Sequence, residues 1–310
     1  MPSEFEIIGR YFTRPARTAL LGIGDDAALV RPRSGTELAV STDLLVEGRH
    51  FRVGADARSL GHKALAVNLS DLAAMGATPR WATLALSIPD ADERWIAAFA
   101  EGLFALAERF GAELIGGDTV RGPRSVCICI LGEVAQGRAL RRDGAQANDD
   151  VWVSGELGGA ALALARPGIG EAERRLDLPE PRVALGERLV GRASAAIDVS
   201  DGFAQDLGHI LERSQCGARV HYERLPKCGA FAPIAEPELE HRCVLAGGDD
   251  YELVFTAPRA ERGALEALAA ELALPLTRVG SIQAGAPSLS IVDARGREIP
   301  VPHGFDHFSR

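Results

Sequence analysis

The sequence predicts a chain of mixed class, α+β or α/β, folded as two domains, and three observations carry that prediction. Its 310 residues are long for one hydrophobic core, since single domains run to about 100–200 residues. Short apolar or alternating runs are interspersed with runs of helical period, which neither an all-α nor an all-β chain would show. Between the strand-like SVCICILGEV and VWVSG lies QGRALRRDGAQANDD, residues 136–150, polar and turn-rich. The domain boundary is expected there, giving domains at 1–140 and 149–310.

Taken in order, helical spacing covers 4–11 and alternation marks a strand near 37–42. Over 59–75, Leu60, Ala64, Val67, Asp71 and Met75 recur at helical spacing and share one stripe. That stripe is apolar except for one carboxylate. Asp71 either lies at its edge and reaches water, caps a shorter second helix with Ser70, or has a partner or metal that warrants burial. A strand at 81–88, a helix at 92–110 and a strand at 125–134 complete the first domain. Cys127 and Cys129 alternate along the last of these and read as core packing. The second domain shows strands near 151–154, 195–199, 218–222, 251–256, 276–282 and 289–293, with helical period over 183–191, 202–214 and 259–272. RPGIGEAERRLDLPEPR, residues 166–182, mixes Pro, Gly and charge and reads as a surface loop.

Acidic residues (43) outnumber Lys plus Arg (34), for a net charge of −9. Such a chain is not expected to take nucleic acid or an anionic membrane as partner. No apolar run reaches the ~18 residues of a spanning helix. Glu4 and Glu6 stand where a signal peptide would be basic and then apolar, so a cytoplasmic protein is expected. Five cysteines without a C-x-x-C suggest neither a disulfide framework nor a zinc ribbon.

The acids have a recurrent setting: an apolar run, then Gly or Ser, then Asp. It occurs in GIGDDAAL (Asp25, Asp26), AVSTDLL (Asp43), NLSDL (Asp71), LIGGDT (Asp118), AAIDVSDG (Asp198, Asp201) and AGGDDYEL (Asp249, Asp250). Any one of these fits a turn or a helix cap. Together they place carboxylates at strand ends and helix starts, where backbone can approach a ligand. If they converge, repulsion forbids full ionisation unless hard cations sit between them, and carboxylate and hydroxyl oxygens suit magnesium or calcium. Phosphoryl transfer needs such a site. The usual phosphate loop is missing, because the two lysines, Lys63 and Lys227, are followed by Ala64 and Cys228. GIGDDA begins like a dinucleotide fingerprint but puts two acids where the pyrophosphate would lie.

The motifs GIGDDAAL, STDLLVEGRHF, KALAVNLSDLAAMGA, LIGGDTVRGP, AIDVSDGFAQDLGHI, GGDDYELVFT and GFDHF run in that order from residue 22 to residue 308. In this they resemble the thiamine-monophosphate kinase family, of the superfamily that includes aminoimidazole ribonucleotide synthetases and selenophosphate synthetases. The resemblance implies an α+β, two-domain fold whose N-terminal domain binds ATP and metal and completes a β-barrel across a homodimer. It implies ATP-dependent phosphorylation of thiamine phosphate to thiamine diphosphate by direct in-line transfer, with several Mg²⁺ ions and no catalytic side chain. A phosphate monoester, with a second pKa of about 6, is already a competent nucleophile. Carried over position by position, the metal ligands fall on Asp26, Ser41, Thr42, Asp43, Asp71, Asp118, Asp198 and Asp201. ATP contacts fall on Gly117, Asp118, Arg142 and Ser200, and thiamine phosphate contacts on His50, Asp249 and Phe305. One departure stands out: the family usually has Glu where this chain has Asp249. A selenophosphate synthetase would carry a reactive Cys near its start, whereas the first cysteine here is Cys127. The tail GFDHF and the loop GGDDYEL separate the chain from aminoimidazole ribonucleotide synthetases. The rivals of another class are a non-catalytic divalent-cation-binding protein and a degenerate regulatory homologue, against which stand the intact acids of every motif.

Overall fold

The computed structural model of the chain describes residues 2–302 and residue 304. Its contacts gather into two units, one of Met1–Leu72 with Ala77–Gly137 and the other of Ala73–Gly76 with Arg138–Arg310.

In the first unit, α1 (Glu4–Ile7) starts at a capping box in which Ser3 and Glu6 serve each other's amides, and it runs into a π-helical turn, Ile8–Phe12. There follow β1 (Thr36–Val46), α2 (Ala57–Ala74), β2 (Thr78–Ile88), α3 (Glu93–Phe110), β3 (Glu113–Arg121) and β4 (Ser125–Ala135). The sheet runs β1-β4-β2-β3. Its β2 and β3 are parallel and joined through α3, while the other pairs are antiparallel. β3 has no counterpart among the strands expected from sequence, because Gly116 and Gly117 dilute its apolar pattern.

α3 is capped by Asp92, whose carboxylate accepts the Arg94 and Trp95 amides, and it stops at Gly111 in the left-handed region. α2 is buried almost all round, as befits a helix inside a core. It crosses α3 at very short range: a β-carbon on Gly61 would lie 2.0 Å from the Phe99 carbonyl oxygen, and one on Gly102 1.9 Å from that of Arg58. Leu72 packs onto Gly132 of β4, so α2 lies on the sheet face that carries Leu45, Val126 and Leu86, all buried. The opposite face presents Val40, 60% exposed, and Leu44, 53% exposed, beside the half-buried Cys127 and Cys129. The expected core packing of the two cysteines is thus only partial. Among the described residues the sheet is open rather than closed into a barrel.

The second unit holds β5 (Asp150–Ser154), α4 (Gly159–Ala165), α5 (Gly170–Asp177), α6 (Val183–Leu189), β6 (Ala195–Asp198), α7 (Phe203–Ser214) and β7 (Gly217–His221). α8 (Pro237–Ala246), β8 (Leu253–Ala257), α9 (Arg262–Leu272), β9 (Leu276–Gln283) and β10 (Ser288–Val292) complete it. Its sheet runs β10-β7-β9-β5-β8-β6, antiparallel except for β10 with β7. β5 and β8 are buried along their whole length, which is why VWVS and LVFTA read as continuous runs rather than alternations.

The stretch 166–182, expected to be a loop, contains α5. Ala172 and Leu176 bury one face of it, while Glu171 and Glu173 in the first turn and Arg174 and Arg175 in the last complement the helix dipole. Two apolar anchors in eight residues left no periodic signal.

Candidate active site

In the first unit, β1 carries three of the predicted ligands and its alternation splits them. Ser41 and Asp43 share the α2 side with Leu45, while Thr42 shares the outer side with Val40 and Leu44. α2 brings its own acid to the first pair, since the Ser41 hydroxyl donates to Asp71 Oδ2. Asp71 is half-buried, so the carboxylate in the apolar stripe is there for β1, neither reaching out as a solvated edge residue nor capping a second helix.

Register places the remaining ligands. Asp43 lies in one row with Ile128, Leu84 and Gly117. Asp118 lies in the next row with Leu44, Cys127 and Ala85, on the outer face, and is exposed. β1 and β3 are the two edges of the sheet. Three strand spacings separate Asp43 from Gly117, about 14 Å, so the sheet does not bring Asp43 and Asp118 together. Asp26 is exposed, its amide donating to Asp25 Oδ1 at 3.1 Å. His50 closes the turn after β1, its Nδ1 accepting the Val46 amide at 3.0 Å.

In the second unit Asp198, Ser200, Asp201 and Asp249 come together. β6 ends in the buried Asp198, and the chain then turns through Ser200, Asp201 and Gly202 into α7. The segment 249–252 lies alongside: the Asp249 amide donates to the Ser200 carbonyl at 3.0 Å, the Tyr251 amide to Val199 at 2.8 Å, and the Val199 amide to Glu252 at 2.8 Å. Asp249 and Tyr251 both occupy the left-handed region, at φ 65° and 50°. Such positions are costly for ordinary residues and cluster at functional loops. The Tyr251 hydroxyl donates to Asp249 Oδ1 at 2.9 Å. The backbone of Arg142 lies apart from this group: the residue is exposed, next to the Arg141 carbonyl that accepts the Ala196 amide at the start of β6, and its own carbonyl accepts the hydroxyl of Ser214 at the far end of α7. Phe305 lies outside the described residues.

Three acids that the motif reading left unassigned hold this arrangement. Asp206, on the first turns of α7, accepts the amides of Ser200, Asp201 and Gly202 on its Oδ2. Burial, and then the neighbouring Asp198 and Asp201 carboxylates, push it up to about 7 against the pull of those amides. Asp250 accepts the Gly158 amide at 2.7 Å, and burial pushes it up to about 8. The buried Glu252 accepts the Ser154 hydroxyl at 2.6 Å and both arms of the Arg182 guanidinium, one at 2.7 Å. Asp206 was detectable by the same signal as Asp71, an acid within the apolar stripe of Phe203, Leu207 and Ile210.

The donor set is hydroxyl and carboxylate oxygen throughout, the preference of hard divalent cations. Asp206 is raised partly by its two acidic neighbours, which is the crowding that a cation between them relieves.

Comparison with known proteins covers nearly the whole chain. The AIR synthase related protein N-terminal domain matches residues 24–134, and the corresponding C-terminal domain residues 146–292. The thiamine-monophosphate kinase of Escherichia coli is 44% identical over 320 residues, covering 99% of this chain and 98% of the relative. The crystal structure of thiamine-monophosphate kinase from Stenotrophomonas maltophilia matches with a TM-score of 0.85 at 48% identity, covering 94% of this chain and 95% of that one. A structure described as AaThiL complexed with AMPPCP and TMP matches with a TM-score of 0.77 at 28% identity, covering 90% and 89%.

Proposed function

The chain belongs to the AIR synthase related family and, within it, to the thiamine-monophosphate kinases, and from that premise we propose that it transfers the γ-phosphoryl group of ATP to the phosphate of thiamine phosphate. The products are thiamine diphosphate and ADP. The observation that carries this reading is the 44% identity to a thiamine-monophosphate kinase over 99% of the chain. A relative described with AMPPCP and TMP supports the same pair of ligands.

The transfer is direct. An oxygen of the acceptor phosphate attacks the γ-phosphorus in line as the bond to ADP breaks. The acceptor is largely deprotonated at neutral pH, its second pKa being about 6, so no general base is required. The protein's work is then alignment and charge compensation.

Asp26, Ser41, Thr42, Asp43, Asp71, Asp118, Asp198 and Asp201 are the proposed Mg²⁺ ligands. Mg²⁺ bound there would neutralise charge on the phosphoryl oxygens. Gly117, Asp118 and Ser200 face the nucleotide, and Arg142 offers a planar fork to one of its phosphates. His50 and Asp249 hold thiamine phosphate, with Phe305 as the proposed stacking partner of its ring.

The apolar outer face of the first sheet, with Val40 and Leu44 exposed, supports a homodimer in which a second copy covers it.

The test is an incubation with ATP, Mg²⁺ and thiamine phosphate, followed for ADP and thiamine diphosphate. Equimolar appearance of both, abolished by EDTA, and inversion at a chiral γ-phosphorus are expected. ADP without thiamine diphosphate, or a trapped phosphoprotein, overturns the reading.

A further inference from the structure

We infer that Asp206 is a positioning residue: its carboxylate fills the amide cradle of the Ser200–Asp201–Gly202 turn and so fixes the hydroxyl and the carboxylate that this turn presents. Three successive amides converge on one oxygen, at 3.1 Å from Ser200, 3.1 Å from Asp201 and 3.0 Å from Gly202. Asp206 itself is 2% exposed.

Ordinary capping does not account for this. A cap satisfies amides inside the first turn of a helix. α7 begins at Phe203, with Gly202 as its cap residue, so two of the three amides belong to chain that precedes the helix. The carboxylate therefore secures the turn rather than the helix. The other side of the turn is tied by the Asp249 amide to the Ser200 carbonyl and the Tyr251 amide to the Val199 carbonyl. Asp201 is also reached by Gln205, whose Nε2 donates to its Oδ2 at 3.3 Å.

Consecutive amides at a helix start ordinarily form a cradle for an external anion. In this chain the cradle is already filled by a side chain of the same helix. A ligand phosphate arriving here cannot use those amides and must be met by side chains and by the cations they hold. The inference deepens the proposed function and rests on it: Ser200 serves the nucleotide and Asp201 a metal ion.

The test uses the full chain and Mn²⁺ as probe, titrated by electron paramagnetic resonance without substrates, for wild type, Asp206→Asn and Asp206→Glu. Asn keeps the shape but gives the three amides a neutral acceptor, and Glu keeps the charge but moves the oxygen. Residues that orient metal ligands typically contribute 10- to 100-fold in metal affinity. A loss of at least tenfold in Mn²⁺ affinity is expected in both variants. The Mg²⁺ activation constant should rise in step, activity should return at high Mg²⁺, and the KM for thiamine phosphate should stay within about twofold. A merely structural role would lower the melting temperature without moving the Mg²⁺ constant. If Asp206→Asn does not fold, Asp206→Glu decides. Mn²⁺ affinity equal to wild type in the folded variants overturns the inference. Wild type that binds Mn²⁺ but lacks kinase activity leaves it standing while sinking the proposed function, and wild type that binds no Mn²⁺ overturns both.

Discussion

At Asp249 the backbone decides which substitution is informative. Its φ of 65° is tolerated by Asn and Asp far better than by Ala, and its Oδ1 accepts the Tyr251 hydroxyl. Asp249→Asn keeps the conformation and an acceptor for Tyr251 and removes the charge alone. If the carboxylate holds thiamine phosphate, the loss of a charge-assisted hydrogen bond is about 1.5–3 kcal/mol, or roughly 10- to 150-fold in kcat/KM. Steady-state kinetics should show that loss against thiamine phosphate with the KM for ATP nearly unchanged, and Asp249→Glu, which keeps the charge, should be far milder. Its neighbour Asp250 gives a pH prediction. Burial lifts it from 3.8 to about 8 in the folded chain, so the folded state holds a proton that the unfolded state releases above about pH 4. Stability from this group is fullest below that pH and is lost as pH rises through about 8. Asp250→Asn keeps an acceptor for the Gly158 amide and cannot ionise. Differential scanning fluorimetry from pH 5 to pH 8.5 should show the wild-type melting temperature falling more steeply than that of the variant. Parallel curves would mean that Asp250 does not titrate as described.

At the scale of elements, the α2–α3 crossing is set by two residues without side chains. A methyl at Gly102 would meet the Arg58 carbonyl oxygen at 1.9 Å, and that oxygen is backbone that cannot rotate away. Gly102→Ala should therefore cost about 3 kcal/mol, the upper end of ordinary overpacking. Thermal denaturation should record a fall of roughly 6–12 °C for a chain of this size class. A variant as stable as wild type would mean that the helices separate freely. The same crossing shows what sequence could and could not convey. α2 and α3 were legible because their apolar periodicity is local and strong, whereas the contact between Gly61 and Phe99 is a relation between distant residues that no period records. β3 was illegible as a strand because what makes it one is its parallel pairing with β2, supplied through α3 and not by its own glycine-diluted pattern. α5 reads as loop in the sequence because eight residues with two buried anchors are dominated by charge. In the second unit, the grouping of Asp198, Ser200, Asp201 and Asp249 was foreshadowed by their motifs. The amides that lace 198–202 to 249–252 were not, since backbone hydrogen bonds between loops leave no mark on composition. Asp206 could have been singled out as Asp71 was, by its place in an apolar stripe.

For the whole molecule, the proposed ligand set and the sheet geometry together constrain how the two copies of the proposed homodimer would meet. Thr42 and Asp43 lie on β1, and Asp118 lies on β3 at the opposite edge of the sheet. The row that joins the two edges spans about 14 Å. One chain therefore cannot offer Asp43 and Asp118 to a common cation through this sheet. Thr42, Leu44 and Asp118 all belong to the outer face, and Val40 and Leu44 on it are more than half exposed. Two such faces stacked by a two-fold axis can set like edges together, or can set β1 of one copy beside β3 of the other. In the proposed homodimer only the second arrangement gives Thr42 the company of Asp118 of the partner subunit, while Asp43 stays on the α2 side. The consequence can be measured by complementation. Thr42→Val and Asp118→Asn should each be strongly impaired alone. When the two are co-expressed and assort at random, half of the dimers are mixed, and each mixed dimer holds one site with both lesions and one with neither. About one quarter of wild-type activity should then return. Val40→Asp on both chains places a charge on the exposed outer face at its β1 edge, so it should yield a monomer by analytical ultracentrifugation and abolish the recovery. If co-expression restores nothing while the mixed dimers are present, the site shares no such pair of residues, and Asp118 must serve a different cation from Thr42.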